Sequence, residues 1–149
     1  MTAGASGRWA THEQLDSIEG ARVDELVELF QTAWWTRGRE RADVERMLAG
    51  SDGAIGVVHK ATDRLVAFAR FLTDGVYKAT LFDVIVAESE RGSGLGLALT
   101  DALLLHPGLA DVAHLELYCL PELVPFYGRW GFDVDVGGVR LMRLDRDPG

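Results

Sequence analysis

Residues Leu81 to Leu105, LFDVIVAESERGSGLGLALTDALLL, decide the fold. The first six are rich in β-branched and aromatic side chains, which predicts a buried strand. Arg91 to Gly96 follow as a glycine-bearing turn, and residues 97–105 supply an apolar helix. The first amides of a helix have no partner within it, and with the positive end of the helix dipole they form an anion site. The stretch therefore predicts a strand, a phosphate-binding turn and a helix.

Length and composition predict one globular domain. With 149 residues, 48% of them hydrophobic and 26% charged, the chain is long enough for one core and too short for two. We expect a single domain over residues 1–149, with flexible tails at 1–10 and 145–149. No apolar run approaches the roughly 20 residues of a membrane span, and no signal-peptide pattern opens the chain. The single cysteine, Cys119, fits a reducing cytoplasm, where we expect the protein.

The charge and the metal-ligating side chains argue against two kinds of partner. The formal net charge is −8, whereas a nucleic-acid binder carries a basic face, so we expect no nucleic-acid partner. An anionic ligand must then be held by local geometry, because the overall field repels it. The histidines and the cysteine show no metal-ligand spacing, and we predict no metal. These residues are His12, His59, His106, His114 and Cys119.

The period of the apolar residues changes along the chain from helical to strand-like. Two amphipathic helices are predicted at residues 22–34 and 39–48, and a short helix at 121–130. The expected strands are Ala54–Lys60, Leu65–Thr73, Tyr77–Val86, His114–Cys119, Phe132–Val136 and Val139–Leu144. The predicted class is α+β, with one parallel pairing where the crossover helix joins the third strand to the fourth.

Three kinds of phosphate-containing ligand compete for the turn at residues 91–96. A P-loop requires Lys followed by Ser or Thr after its last glycine, and Leu97-Ala98 stands there instead. A dinucleotide-binding turn requires G-x-G-x-x-G directly after the strand. The glycines here follow G-x-G-x-G and come five residues later. The dinucleotide alternative nevertheless stays open, because Glu116 lies in the next strand where a ribose-binding acid belongs.

The third ligand follows from a family resemblance that two motifs carry. RGSGLG at residues 91–96 is similar to the Arg/Gln-x-x-Gly-x-Gly/Ala turn of the GCN5-related N-acetyltransferases, whose amides hold the pyrophosphate of acetyl-coenzyme A. FYGRWGF at residues 126–132 resembles that family's second signature, an aromatic-Tyr pair followed by Gly-Phe. The resemblance spans roughly residues 22–144. It implies a mixed, mostly antiparallel sheet with a central parallel splay, flanked by about four helices.

The resemblance also implies which residues hold acetyl-coenzyme A. The turn offers amides to the pyrophosphate, and the strand before it offers amides to the pantetheine arm and the acetyl oxygen. The implied residues are Val84, Ile85, Val86, Arg91, Gly92, Ser93, Gly94, Leu95, Gly96 and Phe126. The chain departs from the family at Glu88, Ser93 and Leu120, where proline, a basic residue and asparagine are frequent. Since Arg91 is then the only cation of the loop, we expect amides and the helix dipole to dominate pyrophosphate binding.

Two residues are candidates for the chemistry. Tyr127 matches the family's tyrosine that reaches the thioester sulfur, and a phenol with a pKa near 10 can share a proton with a thiolate. The alternative for Tyr127 is a core tyrosine. Asp83 interrupts an apolar strand, and a lone buried acid is costly unless it is paired or functional. The resemblance implies that it deprotonates or binds a cationic amine, directly or through water, the alternative being an ion pair with Arg70.

The acceptor is predicted to be a small primary amine, acetylated by direct transfer in a ternary complex. Trp34, Trp35, Asp74 and Tyr77 are the candidate acceptor contacts, with packing or surface positions as the alternative. A protein amine is the second acceptor class, and a non-catalytic acyl-coenzyme A-binding module is the rival function. We expect no membrane partner, and the closing hairpin allows a homodimer.

Overall fold

Three long strands form the middle of one sheet in the computed structural model, because their sequences are rich in β-branched and aromatic residues. They are β2 (Gly53–His59), β3 (Arg64–Thr73) and β4 (Lys78–Val86), and they pair antiparallel. A short strand β1 (His12–Leu15) pairs antiparallel with β2, and β5 (His114–Glu116) pairs parallel with β4. The order is β1-β2-β3-β4-β5, which confirms the predicted mixed sheet.

Helices cover the sheet. They are α1 (Ala21–Phe30), α2 (Arg41–Ala49) and α3 (Leu95–Leu104), the last of which connects β4 to β5. The first two pack on residues of β2, β3 and β4, and α3 contacts β2 and β3. The main core cluster is Ile18, Val23, Leu26, Leu29, Phe30, Val44, Val58, Leu65, Phe68 and Ile85. Phe30 and Phe68 meet edge to face in it, with ring centroids 5.8 Å apart.

The structure describes residues 9–146, and the chain forms two compact units, Met1–Leu117 and Tyr118–Gly149. The second unit holds a 3₁₀ turn, Pro121–Leu123, and the five-residue helix α4 (Val124–Gly128). The expectation of one domain over residues 1–149 stays a prediction. In the described part of the chain, no helix has the length and apolar character needed to cross a membrane.

Part of the N-terminal tail predicted at residues 1–10 has a defined place in the fold. Most of the predicted tails lies outside the described residues. Trp9, however, is buried and donates from Nε1 to Oε1 of Gln14 at 2.9 Å, so the ordered chain includes at least part of the predicted tail. The strand β1 was missed because four residues of mixed polarity show no strand period.

The first helix ends at Phe30 and not at Trp34. Two threonine hydroxyls donate hydrogen bonds to the last backbone carbonyls of the helix. Thr32 Oγ1 donates to the carbonyl of Leu29 at 2.6 Å, and the buried Thr36 Oγ1 donates to the carbonyl of Phe30 at 2.7 Å. Hydroxyls that bond backbone carbonyls in this way compete with the amides that would extend the helix. The apolar period beyond Phe30 therefore does not correspond to helix.

The two closing strands predicted at Phe132–Val136 and Val139–Leu144 are absent. Gly137 and Gly138 do adopt the positive φ angles of a hairpin turn, 78° and 81°. The flanking segments nevertheless form no ladder, and their apolar side chains are exposed, Met142 at 90%. A two-stranded hairpin is marginal without a surface to cover its apolar face, and alternation alone does not supply one.

The Phe71 ring lies against a glycine, and this contact yields a stability prediction. A Cβ at Gly53 would lie 2.2 Å from Cζ and 2.3 Å from Cε2 of the fully buried Phe71. We expect Gly53→Ala to lower the free energy of unfolding by about 1–3 kcal/mol, because the ring must move within a packed core. Urea denaturation measures this change.

The matched control is Gly50→Ala, at the end of α2. A Cβ there meets only backbone oxygens, at 3.4 and 3.8 Å, and φ is −87°. We expect this variant to be neutral or more stable by up to about 1 kcal/mol. Equal unfolding midpoints for the two variants would contradict the packing argument.

Candidate active site

A β-bulge interrupts the pairing of β3 with β4 at Asp83. Phe68 pairs with Ile85 and Arg70 pairs with Phe82, so two residues of β4 oppose one of β3. Asp83 has a φ of 56°, in the left-handed region that aspartate adopts more readily than most residues. Bulges re-aim side chains, and this one is held by the contacts of the Asp83 carboxylate.

Two arginines hold the Asp83 carboxylate, whose side chain is 7% exposed. Arg39 binds it with both Nη atoms, at 2.9 Å to Oδ2 and 3.1 Å to Oδ1. Nε of Arg70 donates to Oδ2 at 2.7 Å. Each guanidinium also lies over an aromatic ring, Arg39 over Phe30 at 4.8 Å and Arg70 over Phe82 at 4.9 Å. The carboxylate therefore joins two strands to the connection between α1 and α2.

The Arg70 pairing is the alternative that the sequence analysis gave for Asp83, and it is present. It does not test a functional role for the acid. Arg39 was missed as a site residue. It lies 44 positions from Asp83 in the sequence, and no local pattern links residues that tertiary packing brings together.

β4 and β5 separate after three residue pairs. Residues 78–80 of β4 pair with residues 114–116, and among the described residues the ladder between these strands ends there. Ala87 donates its amide to Val66 of β3 at 2.7 Å. Since successive amides of an extended chain point to opposite sides, the amide of Val86 faces the unpaired edge. This agrees with the predicted splay, and among the described residues the amide of Val86 has no hydrogen-bond partner.

The turn after β4 presents unpaired amides. Gly92 and Gly94 have φ angles of 81° and 85°, and the carbonyl of Glu90 accepts bonds from the amide and the hydroxyl of Ser93. Several further amides donate to no described residue, those of Gly92, Gly94, Leu95, Gly96 and Leu97. A Cβ at Gly92 or Gly94 would meet nothing within 4 Å, so the space in front of the turn is open. Free amides around open space at the start of α3 suit a pyrophosphate.

In the second unit, Tyr127 is 7% exposed and lies in a cluster of rings. Phe126 meets it edge to face at 5.0 Å, and Phe132 does so at 6.1 Å. Burial, and then the neighbouring Cys119, raise the pKa of Tyr127 to about 12. The phenol therefore stays protonated at neutral pH and is a hydrogen-bond donor. Burial also raises the pKa of the Cys119 thiol, so this cysteine is not an activated nucleophile.

The candidate acceptor residues fall into two groups. Trp34, 70% exposed, and Trp35 lie on the connection between α1 and α2, which also carries Arg39. The structure therefore places both indoles on the segment that holds Asp83. Asp74 and Tyr77 lie on the turn between β3 and β4.

The turn that carries Asp74 lies at the far end of β4. Oδ1 of Asp74 accepts the amides of Val76, Tyr77 and Lys78, and these bonds lower the pKa of the carboxyl group. From Lys78 to Asp83 the strand runs about 17 Å. The structure thus does not bring Asp74 or Tyr77 to Asp83, and it gives Asp74 a role in shaping the turn.

Comparisons with known proteins agree with this geometry. The model of an acetyltransferase (GNAT) domain matches residues 21–140. GCN5-related N-acetyltransferase 1, chloroplastic, of Arabidopsis thaliana is 34% identical over 126 residues, 85% of this chain and 64% of the relative. Serotonin N-acetyltransferase 2, chloroplastic, of Oryza sativa subsp. japonica is 34% identical over 133 residues, 87% of this chain and 66% of the relative. The chain thus spans just under two thirds of the length of these two relatives.

A solved structure from Xanthomonas campestris pv. campestris, assigned to the GNAT family of acetyltransferases, superposes with a TM-score of 0.73. It is 29% identical, and the match covers 89% of this chain and 93% of that one. The dinucleotide alternative for the glycine turn is therefore wrong. With a family model over most of its length, a splayed β4 and an open glycine turn, the chain belongs to the GNAT acetyltransferase family.

Proposed function

We propose that the protein transfers an acetyl group from acetyl-coenzyme A to a small primary amine by direct attack in a ternary complex. The observation that carries this proposal is the set of amides without a partner among the described residues, at Gly92 and at residues 94–97, next in the chain to the part of β4 beyond its ladder with β5. The free amides of the turn can bind a pyrophosphate. The part of β4 beyond its ladder with β5 can bind a pantetheine arm with its acetyl group.

The residues that would hold the cofactor act mainly through their backbone. The amides of Gly92, Gly94 and Gly96 bind the pyrophosphate, with exposed Arg91 as an adjacent cation. The amide of Val86 is free to bind the acetyl oxygen. When bound, acetyl-coenzyme A supplies the activated thioester. The protein contributes orientation and hydrogen bonds at the places where charge develops.

Asp83 is proposed to handle the proton of the acceptor amine. An alkyl amine has a pKa of about 10 and must lose a proton before it attacks. Oδ1 of Asp83 accepts one bond among those of the described residues, from Arg39, and so keeps a lone pair for an ammonium group or a bridging water. Arg39 and Arg70 fix the orientation of that lone pair.

Tyr127 is proposed to donate a hydrogen bond to the departing thiolate. This assignment rests on the family motif at residues 126–132, since the phenol lies in the second unit of the chain. A pKa of about 12 keeps the phenol protonated, and it also favours hydrogen-bond donation over complete proton transfer to a thiolate of pKa about 8–9.

The acceptor class is proposed from the two tryptophans and from one relative. Exposed indoles on the segment that also carries Arg39 suit an amine with an apolar or aromatic group, and the rice relative is named for serotonin. A protein amine is the second candidate, and a non-catalytic acyl-coenzyme A-binding module is the rival. A cytoplasmic location and a homodimer remain parts of the proposal.

The first experiment separates these functions. We expect acetyl-coenzyme A to raise the melting temperature, and thiol release to follow with at least one amine of a panel that includes serotonin, simple alkylamines and a lysine peptide. A thermal shift without turnover on any amine favours the binding module. If saturating acetyl-coenzyme A leaves the melting temperature unchanged, the whole proposal is refuted.

Asp83→Asn tests the proton-handling role. Asparagine tolerates a positive φ, so the bulge is kept while the charge is lost. We expect kcat/KM for the amine to fall about 100-fold or more, with acetyl-coenzyme A binding retained. Steady-state kinetics at several pH values measure this change.

The matched control is Asp63→Asn. Asp63 also has a positive φ, 52°, and also pairs with an arginine, Arg22 at 2.7 Å, but it lies on the turn between β2 and β3. We expect its kinetics to be those of the parent protein. An Asp83→Asn variant with unchanged amine kinetics and pH profile would refute the role.

Tyr127→Phe tests the donor. We expect cofactor binding to persist and turnover to drop about 100-fold, because the ring stays packed while the hydrogen bond to the thiolate is lost. Tyr118→Phe, at an exposed tyrosine of the same unit, is the control. Since the pKa of Tyr127 is about 12, the parent protein should show no loss of rate from this group up to about pH 10. Equal kcat in the two variants would contradict the assignment.

A further inference from the structure

Three metal-ligating side chains meet where β1, β2 and the 3₁₀ turn Glu88–Glu90 come together. His12 and His59 are directly opposite each other in the antiparallel register, with ring centroids 4.8 Å apart. Oε1 of Glu90 lies 2.7 Å from Nε2 of His12, although the two residues are 78 positions apart in the sequence. One ligand atom from each of the three lies within 4.8 Å of the other two.

An ion pair alone does not explain this arrangement. His12 and Glu90 would satisfy each other as a pair, with side chains 13% and 14% exposed. His59 makes no salt bridge with any described residue. Its ring nevertheless packs against the His12 ring in an edge-to-face arrangement. Two imidazoles and one carboxylate around a partly buried point are the donor set of a zinc site with three protein ligands and one open position.

The surroundings of the cluster favour coordination. Nδ1 of His12 lies 2.9 Å from Oγ1 of Thr11, so a neutral ring can donate to the hydroxyl and leave Nε2 for an ion. Nδ1 of His59 accepts a 3.2 Å bond from the exposed amide of Ala61, and coordination through either nitrogen would end that bond. A net charge of −8 attracts cations to the surface as a whole.

The required movement is small. Donors around a tetrahedral zinc ion, each about 2.0–2.1 Å from it, are about 3.4 Å apart. A separation of up to 4.8 Å therefore closes by rotation of the side chains, with no change in the pairing of β1 and β2. His12 and Glu90 already lie within this distance of each other.

We propose that His12, His59 and Glu90 bind one zinc ion, which ties β1 and β2 to the segment that precedes the glycine turn. The site is independent of acetyl transfer, so it can be tested whether or not the proposed function holds. It differs from the expectation of no metal, which rested on sequence spacing alone. The carbonyl of Glu90 accepts the amide of Ser93, so the ion anchors the chain at the residue that directly precedes the glycine turn.

Isothermal titration of the chelator-treated full chain with ZnCl₂ tests the proposal. We expect one saturable ion per chain, and a higher melting temperature in its presence, since an ion that binds the folded chain stabilises it. His12→Asn, His59→Asn and Glu90→Gln should each weaken binding by at least about tenfold. The matched control is His114→Asn, at an exposed histidine of β5, which should bind as the parent does. Titration with Co²⁺ should give the visible absorption of a tetrahedral site.

Two results would overturn the proposal: absence of saturable zinc binding by the parent, or an affinity that is equal in the parent and all three cluster variants. The second result would assign the ion to other side chains. The melting temperature of each variant without metal shows whether it folds. His59→Asn removes no described salt bridge, so it gives a folded test even if the other two variants are unstable.

Discussion

The neutralisation of one buried carboxylate organises the first unit of the chain. Asp83 would be a costly charge at 7% exposure, and the two guanidinium groups that remove this cost come from different parts of the fold. Arg70 comes from the neighbouring strand, and Arg39 from the connection between α1 and α2. Losing either arginine leaves the acid partly unpaired, so the connection, the bulge and the sheet are stabilised together. The same contacts give the acid the fixed orientation that a role at an amine needs.

The sequence correctly predicted those parts of the fold that depend on residues close together in the chain. The strand, glycine turn and helix from Leu81 to Leu105 were correct because chain period and glycine conformation are set within a few residues. The closing strands were wrong because a hairpin also needs a surface to cover it. Neither the Arg39–Asp83 contact nor the meeting of His12 with Glu90 has a local signal. They arise when tertiary packing brings distant segments of the chain together.

The proposed binding of a pyrophosphate depends on the backbone more than on charge. The turn carries one arginine and several free amides, in a chain whose net charge repels anions. Free amides at a helix start act at short range and in fixed directions, whereas a lysine cluster would also attract polyanions without selection. The family's frequent basic residue is Ser93 here, and its hydroxyl bonds the Glu90 carbonyl and so shapes the turn. For the proposed cofactor, this arrangement favours a pyrophosphate of matching shape over other anions.

The bulge at Asp83 has a consequence for insertions and deletions. Phe68 and Arg70 are two positions apart on one face of β3, and their partners Ile85 and Phe82 are three apart on β4. An odd spacing on a single face is possible only because the bulge adds one residue. Deleting Val84 would remove the extra residue and restore the regular two-residue spacing, so Ile85 would stay on the core face while the bulge that positions the Asp83 carboxylate would be lost. The length of this segment therefore determines the placement of Asp83, not the burial of Ile85.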